Sequence, residues 1–309
     1  MSEENVFEPA SEEGIKIVSA PEQKKSEASE EDFVAPEREI SSEKEQVVEK
    51  VSSVDAGVSD EKDLLAGVNA VNDDNSSDDK RVATGIRGFD ELISGGFEKN
   101  SIVLLVGSAG TGKTLFSMQF LFEGVKQFGE PGVFISFEEE RDSLYKHALQ
   151  FGWDFESMEK ENKFKLLYFK PHQVTAILEE GGGQIRDALK SIGAKRVVID
   201  SITAYGLLFH DEYKRREKVL EFFNLLSKWG VTALVIAEDS PADVEKEEGS
   251  IGFISDAVIS MYYQHDEEKG IRVHSLEVLK MRGTRHTNKL CAINFEKDGI
   301  TVYPDVEVF

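Results

Sequence analysis

The sequence has a single cysteine, Cys291, and no apolar run of the roughly 18 residues that a membrane-spanning helix needs. One cysteine cannot form an intrachain disulfide, which suits a reducing compartment, and its apolar neighbours favour a small core residue over a nucleophile. The residues that follow Met1 lack the basic and apolar regions of a signal peptide. We therefore expect a cytoplasmic protein without a membrane segment.

Positive charge is also scarce, because 36 Lys and Arg stand against 59 Asp and Glu, a formal net charge of −23. The imbalance is uneven along the chain. Residues 1–80 hold 23 acidic and 8 basic residues, whereas residues 81–309 hold 36 and 28, a net charge of only −8. This distribution does not indicate a long-range attraction to nucleic acid or to an anionic membrane.

The first 80 residues contain two Phe and no Trp or Tyr, and they are rich in Glu, Ser, Asp and Val. Such a segment cannot bury enough apolar area to offset the entropy of the chain, so we predict a disordered acidic N-terminal arm over residues 1–80. Two roles remain open for it. It could be a solubilising tail, or its short apolar patches could order on contact with a protein partner.

A glycine-rich loop after a short apolar strand is the strongest chemical signal. The apolar run Ile102–Val106 precedes the pattern G-x-x-x-x-G-K-[ST], which is that of a phosphate loop. In such a loop the backbone N–H groups surround phosphate oxygens, and the helix that follows directs its positive end at the same anion. Lys113 would reach the β- and γ-phosphates, and Thr114 would offer its hydroxyl to Mg²⁺. The predicted nucleotide-binding residues are Gly107, Ser108, Ala109, Gly110, Thr111, Gly112, Lys113, Thr114 and Leu115.

From about Val82 onward, strand and helix signals alternate along the chain. Strands are predicted at 102–106, 132–137, 164–169, 196–200 and 231–237, and helices at 89–93, 115–128, 141–151, 185–192 and 213–229. This alternation indicates an α/β fold, a mostly parallel twisted sheet with helices on both faces. Four further strands, at 257–263, 271–279, 291–295 and 299–303, are joined by short polar turns and predict an antiparallel extension at the sheet's edge.

Three carboxylates follow predicted strands. Asp200 ends one strand and suits the Mg²⁺ shell beside a phosphate loop, although an Asp there could simply cap the next turn. Glu138 and Glu139 follow the strand at 132–137. If that strand neighbours the phosphate-loop strand, one glutamate can activate a water near the γ-phosphate while the other supports it. The alternative is a solvated acidic start to the next helix.

Two cationic segments also have more than one interpretation. Lys280-Met-Arg-Gly-Thr-Arg-His286 could form a charged hairpin, or Lys280 and Arg282 could reach a nucleotide, including one on a neighbouring subunit. Lys214-Arg-Arg216 could contact DNA, as in a recombinase, but a solvated helix face is the favoured interpretation. The remaining histidines, His274 among them, show no metal-ligand spacing and are left unassigned.

Several segments, in the same order, resemble KaiC-family ATPases. They are Thr84–Gly96, the phosphate loop, Glu130–Glu139, Phe151–Asp154, Val198–Ser201 and Leu279–His286. The resemblance runs from about Val82 to Pro304, so it implies that residues 81–309 form a RecA-like ATPase domain. It also implies ATP and Mg²⁺ as ligands, and hexameric rings with ATP at the subunit interfaces.

The resemblance assigns roles to individual residues. It implies that Glu138 and Glu139 are the catalytic glutamates, assisted by Lys113 and Arg282. It implies that Lys280, Arg282, Thr284 and His286 reach the neighbour's ATP, and the wider superfamily keeps a γ-phosphate sensor at the position of Glu238. Gly252-Phe253 stands where the autophosphorylating domain of the two-domain clock protein has adjacent Ser and Thr, so we expect no autokinase activity there.

We therefore predict a Mg²⁺-dependent ATPase, a ring-forming slow switch that regulates the binding of a protein partner. One alternative is a recombinase paralogue that acts on DNA. The other is a nucleotide-gated scaffold that binds ATP without hydrolysing it.

Overall fold

The computed structural model describes residues 80–239, 251–267 and 270–307. Apart from Lys80, the predicted acidic arm lies outside the described residues. The described elements, in chain order, are β1 (Arg81–Val82), α1 (Phe89–Leu92), β2 (Phe97–Glu98), β3 (Ile102–Val106), α2 (Lys113–Phe128), β4 (Gly132–Ser136), α3 (Arg141–Leu149), α4 (Phe155–Lys160), β5 (Phe164–Tyr168), α5 (Pro171–Glu179), α6 (Gly183–Ile192), β6 (Arg196–Asp200), α7 (Ile202–Gly206), α8 (Glu212–Trp229), β7 (Thr232–Ala237), α9 (Ile251–Ile254), β8 (Ala257–Asp266), β9 (Ile271–Met281), β10 (Cys291–Glu296) and β11 (Gly299–Glu307).

The main sheet has nine strands in the order β11-β10-β9-β8-β3-β7-β6-β4-β5. Strands β8, β3, β7, β6, β4 and β5 run parallel to one another, and β9, β10 and β11 continue the sheet with antiparallel pairings. The predicted α/β fold with a mostly parallel sheet is confirmed. The assignment of residues 257–263 to the antiparallel extension is wrong, because β8 pairs in parallel with β3 and only its other partner, β9, is antiparallel.

Strand β3 alternates between two apolar cores, one on each face of the sheet. Val103 and Leu105 belong to a cluster that includes Phe116 of α2, whereas Leu104 belongs to a second cluster that includes Phe222 of α8. Every residue of β3 is buried. A strand covered by helices on both faces reads as a continuous apolar run, which is why the sequence pattern predicts it well.

Four described helices, α4, α5, α7 and the four-residue α9, were not predicted. Helices α4 and α7 contain six and five residues, too few to show a helical period in the sequence. Helix α5 begins at Pro171, in a stretch that was assigned no element. Within the described residues, no helix has the length and apolar character needed to cross a membrane.

A buried arginine fixes α2 to the sheet. The side chain of Arg196, at the start of β6, is 0% exposed. Its Nε donates to Glu130 Oε2 (2.7 Å), and its terminal nitrogens donate to the carbonyls of Phe120 (2.9 Å) and Ala83 (2.8 Å). Burial lowers the pKa of Arg196, and the charge of Glu130 acts in the opposite direction. These bonds join β6, the helix that follows the phosphate loop, and the segment after β1.

Candidate nucleotide-binding site

The phosphate loop connects β3 to α2, as the sequence pattern predicts. Gly110 and Gly112 have positive φ angles of 82° and 96°, which residues other than glycine rarely adopt. Thr111 is buried, and its hydroxyl donates to the Ser108 carbonyl (2.9 Å). Ser108 and Ala109 are exposed on the loop, whereas Leu115 packs partly against the core.

Lys113 is held inside the loop. Its side chain is 6% exposed, its Nζ donates to the Ser108 carbonyl (2.9 Å), and the same atom lies 3.8 Å from Glu238 Oε1. Burial lowers the pKa of Lys113, while the charges of Glu238 and Asp200 oppose that shift. Glu238 follows β7, the neighbour of β3, so the sheet order itself brings this carboxylate to the loop.

Asp200, the last residue of β6, and Thr114, in the first turn of α2, are joined by a hydrogen bond. Thr114 Oγ1 donates to Asp200 Oδ2 at 2.8 Å, and Asp200 is 7% exposed. Burial raises the pKa of Asp200 to about 7, against the effect of the Thr114 hydrogen bond. Mg²⁺ in nucleotide sites takes one or two protein oxygens and completes its shell with phosphates and water, so this oxygen pair fits the ion. Among the described residues no group of three or more His, Cys, Asp and Glu could hold a metal alone.

The two glutamates after β4 have different hydrogen-bond partners. Strand β4 is not the neighbour of β3, because β7 and β6 lie between them, so the condition on which the sequence placed both glutamates near the γ-phosphate is not met. Strand β4 pairs instead with β6, and Ser136 is opposite Asp200. Glu138 accepts a hydrogen bond from Ser201, the residue after Asp200. Sequence spacing could not reveal this route to the site, because it depends on the order of the strands.

Glu139 faces the other way, toward α3. It accepts a hydrogen bond from Ser143 Oγ (2.8 Å), and its Oε2 lies 3.4 Å from His147 Nδ1. Its backbone is fixed by Ser136, whose hydroxyl donates to the Glu139 carbonyl (2.6 Å). The structure thus places Glu138 beside Asp200 and leaves Glu139 bonded to the following helix.

The cations Lys280 and Arg282 lie near the amino ends of the parallel strands, whereas the phosphate loop lies at their carboxyl ends. Met281 pairs with Ala257, which in turn pairs with Val103 near the start of β3. Lys280 Nζ donates to the carbonyls of Gly252 (2.8 Å), Phe253 (3.2 Å) and Ser255 (2.7 Å), and Arg282 Nη2 donates to the Phe253 carbonyl (2.6 Å). Burial and the charge of Arg282 lower the pKa of Lys280. Neither side chain lies at the phosphate loop of its own chain.

Thr284 and His286 lie beyond the same strand. Thr284 Oγ1 accepts a hydrogen bond from Arg81 Nη2 (3.2 Å), and His286 Nδ1 lies 2.8 Å from the Thr287 carbonyl. The structure therefore brings together Lys113, Thr114, Asp200, Glu138 and Glu238, and it places the four residues of the 280–286 segment elsewhere.

Ser201 was not singled out in the sequence. Its hydroxyl donates to Glu138 and accepts from the backbone N–H of Ala204, which makes Ser201 the N-cap of α7. A serine directly before a helix is a recognisable capping signal. No local sequence pattern predicts the hydrogen bond from Ser201 to Glu138, because the two residues are 63 positions apart.

The comparisons with known proteins agree with this geometry. A family model described as the KaiC ATPase matches residues 82–307. A UPF0273 protein of Pyrococcus furiosus is 35% identical over 240 residues, which cover 73% of this chain and 95% of that protein. The circadian clock protein KaiC2 of Synechocystis sp. is 33% identical over 230 residues, which cover 72% of this chain but only 40% of that protein.

Among solved structures, a KaiC-like protein of Pyrococcus horikoshii superposes with a TM-score of 0.64. It is 38% identical, and the match covers 72% of this chain and 99% of that chain. The sequence matches and the fold thus coincide over the region that carries the phosphate loop, Asp200 and Glu138. The chain belongs to the KaiC family of ATPases.

Proposed function

We propose that this protein binds Mg²⁺-ATP and hydrolyses it slowly, as a cytoplasmic switch whose nucleotide state changes the binding of a protein partner. One observation carries the proposal. Lys113, the Thr114–Asp200 hydrogen bond and Glu138 lie together at the carboxyl edge of the parallel strands. Carboxyl edges of such sheets are where ligands bind in α/β proteins.

Different residues would bind the triphosphate and the Mg²⁺ ion. The amides of the loop and the ammonium of Lys113 hold the triphosphate, and Glu238 keeps that ammonium oriented. Thr114 and Asp200 would hold Mg²⁺, which would supply positive charge to the phosphate oxygens. Asp200 must lose its proton to do so, and its raised pKa makes that loss dependent on pH near neutrality.

Glu138 is the residue that activates water. Its carboxylate takes a proton as the water oxygen bonds to the γ-phosphorus and the bond between that phosphorus and the bridging oxygen of ADP breaks. Ser201 holds Glu138 in place by donating a hydrogen bond to it. Glu139 has a supporting role: its carboxylate accepts from Ser143 of α3, and its backbone is held by the Ser136 hydroxyl in the turn between β4 and α3.

The positions of Lys280 and Arg282 favour a ring-shaped oligomer. Lys280 and Arg282 are positioned by backbone carbonyls, and Arg282 also by Asp256 Oδ1 (3.5 Å), at the ends of the strands that lie away from their own phosphate loop. A head-to-tail assembly would bring these ends to the loop of the next subunit, and such an interface closes into a ring when its rotation permits. We propose a homo-oligomer, a hexamer by resemblance to the family, with Thr284 and His286 at the same interface. The acidic arm is the candidate segment for a protein partner.

The observations do not favour a role on DNA. Arg216, in the short basic run of α8, lies 3.6 Å from Glu212 of the same helix, so its charge is matched locally. The net charge of −8 over residues 81–309 also gives no general attraction to phosphate backbones.

Replacing Glu138 with Gln tests the proposal. Because a general base contributes about 10²–10⁴-fold, we expect hydrolysis to fall by at least about 100-fold while ATP binding is kept. Glu139→Gln should lower it by less than about 10-fold, since Glu139 acts only through the turn. Phosphate release and the binding of a fluorescent ATP analogue would be measured in parallel.

Glu140→Gln is the matched control, because Glu140 is an exposed neighbour whose side chain makes no capping bond. Equal turnover in Glu138→Gln and Glu140→Gln would contradict the assignment of the base. A wild-type protein that binds ATP without turnover would instead be a nucleotide-gated scaffold.

A further inference from the structure

Strands β8 and β10 pack directly against the phosphate loop. A Cβ added to Gly107 would lie 2.5 Å from the Met261 carbonyl oxygen, and one added to Gly112 would lie 2.5 Å from the ring of Phe295. Both distances are too short for real atoms. These glycines are thus needed to admit β8 and β10 as well as to admit a phosphate.

His274 adds a hydrogen bond to this contact. It lies on β9, which is separated from β3 by β8, yet its Nε2 is 3.1 Å from the carbonyl oxygen of Gly110. The imidazole stacks on Tyr263, with ring centroids 4.0 Å apart at 15°. Its other side meets Phe295 edge-on, at 4.6 Å and 87°. The ring is therefore fixed from two sides, with one nitrogen directed at the loop.

The orientation of one peptide follows from this bond. In a trans peptide the carbonyl and the next N–H point in opposite directions. A donor that holds the Gly110 carbonyl toward β9 therefore turns the Thr111 N–H away from β9. Gly110 has a φ of +82°, a conformation that glycine leaves easily, so a fixed carbonyl removes much of the loop's freedom.

We propose that His274, fixed by Tyr263 and Phe295, is a positioning residue that keeps the phosphate loop in the conformation that binds the nucleotide. It touches neither phosphate nor metal and acts through the Gly110 carbonyl. The inference rests on the proposed nucleotide site for its consequence, but the contact itself is a property of the protein without nucleotide. His274 shows no metal-ligand spacing in the sequence, and its partner Gly110 lies 164 residues away, so local pattern gives no sign of this contact.

Two substitutions separate the ring from the hydrogen bond. His274→Phe keeps an aromatic ring between Tyr263 and Phe295 but has no N–H, whereas His274→Gln keeps an N–H donor without the ring. His265→Phe and His265→Gln are the matched controls, because His265 is exposed on the adjacent strand. All four variants would be made in the full chain.

The first measurement is hydrogen–deuterium exchange without nucleotide. We expect the amides of residues 107–114 to exchange about 10-fold faster in His274→Phe, and within about 3-fold of wild type in His274→Gln, since a neutral hydrogen bond is worth roughly one factor of ten. The amides of β7 should not change in any variant. Loop exchange in His274→Phe equal to that in His265→Phe would overturn the proposal.

The second measurement is nucleotide affinity and turnover. We expect His274→Phe to raise the Kd for an ATP analogue and the KM by about 10-fold, with kcat at saturation changed by less than about 3-fold, and His274→Gln to restore most of the affinity. A general loss of structure would not give this split. Failure of the wild-type protein to bind nucleotide would contradict the proposed function alone, because the exchange measurement still decides the role of His274.

Discussion

Charged side chains have different kinds of partner at the carboxyl and the amino ends of the parallel strands, which we call the carboxyl edge and the amino edge. At the carboxyl edge of the parallel strands, polar side chains contact one another, as in the bond from Thr114 to Asp200 and the approach of Lys113 to Glu238. At the amino edge, Lys280 is held by three backbone carbonyls. The first edge has the groups that a phosphate and a metal need. The second holds cations in a fixed orientation, which suits a charge that acts on another molecule.

The largest effect we expect comes from the second edge. Arg282→Ala should lower turnover by about 10³-fold or more if Arg282 acts as an arginine finger, while ATP binding changes little. Arg285→Ala, in the same segment, is the control. Turnover in the two variants that agrees within about 3-fold would mean that Arg282 serves only its own chain.

The buried Arg196 and the more open Lys280 should differ in how much each contributes to stability. Arg196→Met leaves Glu130 and two carbonyls without their donor in the interior, so we expect a loss of about 3–5 kcal/mol in the free energy of unfolding. Lys280→Met, at a less buried position, should cost only about 1 kcal/mol. Urea unfolding would measure both, with the exposed Lys195→Met as the control. Equal losses for Arg196→Met and Lys280→Met would contradict the distinction between the buried and the more open cation.

Asp200 gives the first edge a pH dependence. Its pKa is raised from an ordinary 3.8 to about 7 by burial, so folding favours the protonated form. The stabilisation is complete at low pH and is lost as the pH rises from about 4 through about 7. In EDTA, we expect the free energy of unfolding to fall by roughly 2–4 kcal/mol over this range because of Asp200.

Asp200→Asn should remove that component of the pH profile. Mg²⁺ binding should show the opposite trend and strengthen as the pH rises through about 7, because the ion needs the ionised carboxylate. Isothermal titration of Mg²⁺ at pH 6 and pH 8 would check this. A Mg²⁺ affinity that is equal at both values would contradict the raised pKa.

Local pattern was enough to predict part of the site. The phosphate loop, Lys113 and Thr114 follow from eight consecutive residues, and Asp200 follows from a strand that ends beside such a loop. The nine strands of the main sheet and the long helices α2 and α8 were predicted because buried strands and long helices leave clear patterns in the sequence.

What the sequence could not predict depends on which strands are neighbours. Local pattern does not show that β4 pairs with β6 and not with β3, so the different environments of Glu138 and Glu139 were missed. The parallel direction of β8 and the contact of His274 with Gly110 are also long-range. The family resemblance supplied roles for Lys280 and Arg282, but not the carbonyls that hold them.

Mixing two inactive variants tests most directly whether the two edges form one site. Glu138→Gln lacks the base at one edge, and Arg282→Ala lacks the cation at the other. In mixed rings with shared sites, about a quarter of the sites in an equal mixture would have both wild-type residues, so we predict that ATPase activity rises well above that of either variant alone. A mixture that assembles but is no more active than the sum of its parts would contradict the shared site.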